Sequence, residues 1–290
     1  MRTLRSFSIV GCALAVGIAT SAALAQYDPP ASYYNSATGT GLTLKSQIHN
    51  IIDDHTIRDY DDARIALQLL DKDPNNPTRI LLIYNGASVL GAWDNGTTWD
   101  REHQWPRSLG VGTSGPDNSD LFQLRPCNPS INGSRGNSPY GIGGGYWDPA
   151  ALALPGVNDR GDCSRTCFYI AVRYDGSDTN TVDLELVNGL PGANQMCDLA
   201  KMLEWHFSEP VNNIELRRNH LVWSSVDNPS YFQGNRNPFI DRPEFVWAIW
   251  GPTPNDSTLY FGGSVPSDGA SSTNLVIQSL VNGSPAPSIV

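Results

Sequence analysis

Three short segments carry residue types that can do hydrolytic chemistry: Arg101-Glu102-His103, the run Asp120 to Asn137 (DLFQLRPCNPSINGSRGN), and Gln233 to Pro243 (QGNRNPFIDRP). In the first, a carboxylate adjoins one of only five histidines in the chain. A neutral imidazole with a pKa near 7 can take a proton from water. A hard divalent ion can neutralise a phosphodiester and hold its leaving oxygen, and such ions take carboxylate and amide oxygens as ligands. Glu102 and Asn132 supply those oxygen types, and Arg125 and Arg135 supply the guanidinium forks that match phosphate.

The geometry is demanding. Adjacent residues of a regular strand point to opposite faces, so Glu102 and His103 can serve one site only from a strand end, a bulge or around an ion. The Asn132-Gly133 pair has a plainer reading as a turn, and Arg135 as a surface ion pair. Asn235, Arg236 and Asn237 are read as structural groups that fix a C-terminal turn, Trp205 and His206 as parts of a helix interface, and Trp99, Trp105 and Trp147 as core.

The combined strings WDREHQWPRS and DLFQLRPCNPSINGSRGN resemble the bacterial endonuclease I family of secreted or periplasmic nucleases, within the ββα-metal (His-Me finger) group. The resemblance runs from about residue 44 to 250 and includes RGDCSRTCFYIAVRY, LEWHFSEPVNNIELRRN and QGNRNPFIDRPEF in the same order. It implies an α+β fold in which two short strands and a helix grip a metal within a helix-rich single domain. It implies His103 as general base, Glu102 and Asn132 as ligands of Mg²⁺ or Ca²⁺, and Arg125 and Arg135 in matching segments, where contact with phosphate is the expected role. The implied activity is cleavage of DNA, and of RNA as well, with little sequence preference, leaving 5′-phosphate ends. The chain departs from the pattern at Phe122 and Gln123, where relatives carry His and Asn, and Leu109 to Phe122 holds none of the arginine that some relatives place there.

The elements that must position these groups are partly legible. Residues 1–25 combine Arg2 and Arg5, an apolar stretch and a final Ala23-Leu24-Ala25, the pattern of a secretory signal cut before Gln26. Too few apolar residues precede Cys12 for a lipoprotein signal, so a secreted or periplasmic monomer without stable membrane association is expected. The nuclease-like domain is placed at 26–262 and a Ser-, Gly- and Pro-rich tail at 263–290. Apolar spacing predicts helices over 44–53, 60–70, 162–174, 195–207 and 212–223, one starting near Pro243, and a buried strand over 80–84. Residues 108–160 show little periodicity and are read as a long functional loop.

Charge sits awkwardly with a polyanionic substrate. The net charge is −10, and −12 without residues 1–25, yet the stretch from Arg101 to Arg173 holds seven arginines, no lysine and six acids. The acidity therefore lies elsewhere on the chain, and a phosphate site is permitted rather than demanded. Four cysteines remain after Cys12, an even number suited to disulfides in an oxidising compartment. Of the three possible pairings, the one joining Cys163 to Cys167 is the least favoured, because both lie on one helix face; a zinc site is a weaker alternative.

Overall fold

The computed structural model describes residues 26–176 and 180–251; the expected signal and tail lie outside them. The chain is α+β. Helix α1 (Gly41–Ile52) and α2 (Ala63–Leu70) precede the antiparallel pair β1 (Arg79–Leu81) and β2 (Ser88–Leu90). Strand β3 (Asp100–His103), short helix α3 (Pro116–Ser119), strand β4 (Leu124–Cys127) and helix α4 (Pro129–Arg135) follow. The rest comprises α5 (Arg160–Arg173), the parallel pair β5 (Glu185–Val187) and β6 (Gln195–Asp198), α6 (Leu199–Ser208), α7 (Asn213–Trp223), α8 (Pro238–Asp241) and α9 (Glu244–Trp250).

Helix α5 is the axis of the core. Every residue from Gly161 to Arg173 is buried, and α1, α6 and α8 pack around it. A helix covered on all sides has no polar stripe, so its charged residues need partners. Arg165 Nη2 donates to Glu215 Oε2 at 2.8 Å, and Glu215 is also the N3 residue of the capping box that starts α7 at Asn212. Trp99 and Trp105, both fully buried, flank β3 and anchor it in one continuous apolar cluster. Trp147 is half-buried and packs against that cluster, while Trp205 and His206 are buried in α6, where His206 Nε2 lies 3.0 Å from the Pro243 carbonyl.

Strands β3 and β4 pair antiparallel, with Glu102 opposite Arg125 and His103 opposite Leu124. The chain then turns directly into α4. Asn128 caps the helix by accepting from the amides of Ser130 and Ile131, Pro129 occupies the first turn, and Gly136 ends it at φ 55°.

Strand β4 and helix α4 of this unit fall in the stretch expected to be a loop. β4 is only four residues with a proline inside, and α4 only seven with Asn132-Gly133 in its middle, so neither is long enough to show a period. The Asn-Gly turn reading is thereby corrected: both residues are helical. A second correction concerns 195–207, which begins as strand β6. Cys197 sits at φ 66°, where no helix can continue, and Asp198 then caps α6 through the Lys201 amide.

Candidate active site

A cleft of about 220 Å³ opens at the end of β3, with Tyr60, Glu102, His103, Arg107, Asn132 and Arg135 among its walls. His103 is the last residue of β3, so the alternation of strand faces ends there and two consecutive side chains reach one cavity.

Glu102 is buried, and its Oε1 takes two donors, Tyr84 Oη at 2.6 Å and Arg135 Nη1 at 2.9 Å. Among the described residues no protein donor reaches Oε2. Burial raises the Glu102 pKa, and the Arg135 charge and the Tyr84 hydrogen bond pull the other way. Tyr84 is itself held in an unusual state. Its φ is 74°, a left-handed backbone that a bulky residue adopts only under constraint, and its amide donates to Asp159 Oδ2 at 2.6 Å.

His103 is nine-tenths buried and stacks on Tyr60, with ring centroids 5.4 Å apart at 23°. Its Nε2 lies 2.8 Å from the Asn118 carbonyl oxygen. A carbonyl can only accept, so Nε2 carries the proton and Nδ1 keeps the lone pair. Burial first, and Arg107 second, push the His103 pKa down to about 4, so the ring is neutral at pH 7.

Asn132 Nδ2 donates to Asp100 Oδ1 at 2.8 Å, which fixes the amide and leaves its Oδ1 without a protein donor among the described residues. Asp100 lies two residues before Glu102, on the same strand face. The cleft thus offers two hard oxygens, Glu102 Oε2 and Asn132 Oδ1, each on a group whose other polar atom is tied down. That donor set fits a Mg²⁺- or Ca²⁺-type ion. A carboxylate cluster close enough to hold a cation, Asp175, Asp183 and Glu185, lies outside the cleft lining, and Lys45 Nζ already contacts Asp175 at 2.9 Å and Glu185 at 2.8 Å.

The structure brings Glu102, His103, Asn132 and Arg135 together but not Arg125. Arg125 is buried outside the cleft lining, with Nε 2.7 Å from Asp71 Oδ1 and Nη1 3.7 Å from Asp162 Oδ2. Arg135 lines the cleft with every guanidinium nitrogen engaged: Nη1 with Glu102 and, at 2.7 Å, the His103 carbonyl; Nη2 with the Gln104 carbonyl at 2.7 Å; Nε with the Ser138 carbonyl at 3.0 Å.

Sequence reasoning missed Arg107, Asn118, Tyr60, Tyr84 and Asp100. Arg107 donates from Nε to Asn118 Oδ1 at 2.9 Å and stands 4.7 Å from the Tyr60 ring centroid, and among the described residues its Nη atoms have no protein acceptor. Arg107 stands four residues past His103, but beyond a strand end and Pro106 no helical period marks its side chain as returning to the cleft. Asn118 works through its main-chain carbonyl, which no sequence motif displays. The departures at Phe122 and Gln123 fall on packing: the Phe122 ring lies tilted against Tyr169 with centroids 4.6 Å apart, and Gln123 Oε1 accepts from the Trp105 amide at 3.2 Å.

A family model described as Endonuclease I matches residues 40–244. A protein named extracellular ribonuclease from Bacillus subtilis (strain 168) is 36% identical over 247 residues, covering 80% of this chain and 83% of that protein. A protein of the same name from Bacillus amyloliquefaciens is 37% identical over 233 residues, covering 76% and 78%.

Proposed function

This chain belongs to the endonuclease I family, and from that premise we propose that it is a secreted, divalent-metal-dependent endonuclease that hydrolyses phosphodiesters of RNA and DNA with little sequence preference. The observation that carries the reading is the neutral His103, oriented by the Asn118 carbonyl beside two free hard oxygens in one cleft. The β3–β4–α4 unit is read as the ββα-metal core. Secretion is supported by the signal-like residues 1–25 and by the extracellular naming of both relatives, whose ribonuclease names favour RNA as a substrate.

In this reading Glu102 and Asn132 hold the ion, which when bound neutralises charge on the scissile phosphate and on the leaving oxygen. His103 Nδ1 accepts a proton from the attacking water, and the Asn118 carbonyl stabilises the charge that the ring gains by accepting from Nε2. Attack by water on phosphorus releases the 3′-oxygen and leaves the 5′-phosphate. Arg135 and Tyr84 keep Glu102 in place, and Arg125 acts as a buried structural cation. The phosphate-gripping cation is Arg107, braced on Tyr60 and Asn118 with its Nη groups open to the cleft. No helix among the described residues is long and apolar enough to cross a membrane.

The direct test incubates the purified protein with plasmid DNA and with single-stranded RNA, with Mg²⁺ or Ca²⁺ and with chelator. Cleavage of both polymers that ceases on chelation, with 5′-phosphate termini, is expected. Folded protein that binds nucleic acid without cutting it under either ion would replace the enzyme by a binding protein on the same scaffold. Arg107→Ala is expected to lower kcat/KM by roughly 10²-fold, the scale of losing one transition-state donor, with Arg107→Lys recovering part. An unchanged kcat/KM in Arg107→Ala would remove it from the site.

A further inference from the structure

The four cysteines left unpaired by sequence are all buried, and the structure distinguishes one couple among them. Cys167 Sγ and Cys197 Sγ lie 3.3 Å apart, with both residues completely inaccessible, and no comparable sulfur contact joins Cys127 to Cys163 among the described residues. Cys163, one turn before Cys167 on α5, lies beside Tyr140 instead.

We propose that Cys167 and Cys197 form a disulfide in the secreted protein, while Cys127 and Cys163 stay thiols. Each sulfur loses its proton, the Sγ–Sγ bond forms, and two electrons pass to a disulfide oxidant, either an oxidoreductase of the export compartment or a small-molecule disulfide, which becomes the dithiol. The thiolate is the reacting species, and complete burial suppresses it, so the bond is made during folding, before α6 closes over α5.

Three features say what such a bond would do. It closes a loop of 30 residues, long enough to restrict the unfolded chain appreciably. It ties the middle of α5 to the residue that carries φ 66° at the end of β6, holding a backbone state that a non-glycine residue resists, immediately before the Asp198 cap of α6. Cys167 also lies near Arg135, which holds Glu102 and the main chain of His103. The covalent staple is therefore built behind the wall of the cleft, where a protein working outside the cell needs its scaffold fixed.

The test is made on full-length protein exported to an oxidising compartment and alkylated at harvest, so that later air oxidation is blocked. Peptide mapping without reductant is expected to return one cross-linked species containing Cys167 and Cys197, with Cys127 and Cys163 alkylated once the chain is unfolded. Four alkylated cysteines, or any other pair, would overturn the assignment. As an independent readout, reductant during refolding is expected to lower Tm by roughly 5–10 °C, and Cys167→Ala/Cys197→Ala to show the lower Tm in both conditions. A wild-type Tm indifferent to the redox state during refolding would equally reject the bond, and mapping of the wild type stands even if the double variant fails to fold.

Discussion

His103→Ala is expected to slow cleavage of RNA and DNA by about 100-fold or more, the scale of a lost general base, while the protein stays folded. The ring is placed for proton transfer rather than for packing alone. Its Nε2 is committed to the Asn118 carbonyl, so the variant loses the one nitrogen, Nδ1, that can accept from water. What the fold loses is the stack on Tyr60 and one hydrogen bond, a cost of about 1–3 kcal/mol at a site next to a cleft. Circular dichroism and Tm separate the two effects. The pH profile adds a second check. Because burial and Arg107 depress the His103 pKa to about 4, the ring remains an unprotonated base as pH falls from 7 to 5, and its acid limb lies near 4 instead of near 6.5. A His103→Ala variant within a few-fold of wild type would remove His103 from the chemistry.

How far the sequence reached depends on the scale of the signal. The long elements α1, α5 and α7 were legible because each spans enough turns for apolar spacing or capping residues to register. β4 and α4, which carry Arg125, Asn132 and Arg135, were not, because four and seven residues with a proline and an Asn-Gly pair read as loop chemistry. The site residues themselves came from the combined motif resemblance, since residue type cannot say which arginine faces a cleft. Arg125 and Arg135 look equivalent in sequence; one is consumed by Asp71 and Asp162, the other by Glu102 and three carbonyls, whereas Arg107 lines the cleft with Nη atoms that have no protein acceptor among the described residues. The acidity that argued against a polyanion also resolves locally. The cleft is lined by Arg101, Arg107 and Arg135 against a single carboxylate, Glu102, so the excess negative charge lies away from it.

Arg135→Met is expected to destabilise the protein by about 3–5 kcal/mol, roughly 10 °C or more in Tm, as well as to abolish activity. Methionine has a similar reach but donates nothing. Its substitution strands the carbonyls of His103, Gln104 and Ser138 and leaves Glu102 Oε1 with Tyr84 as its remaining partner. Each stranded buried acceptor costs on the order of 1–3 kcal/mol, and the uncompensated carboxylate adds to this. The effect on the site follows from the same loss. Burial already raises the Glu102 pKa and Arg135 opposes it, so removing the guanidinium drives the carboxyl toward its protonated form, which cannot hold a divalent ion. Metal titration by calorimetry at low temperature, on the folded fraction, is therefore expected to show weakened binding beside the lowered Tm. A residue that only gripped phosphate would behave otherwise, raising KM with Tm and metal affinity unmoved. That pattern in Arg135→Met would return Arg135 to the substrate face and leave the shape of β3 to other contacts.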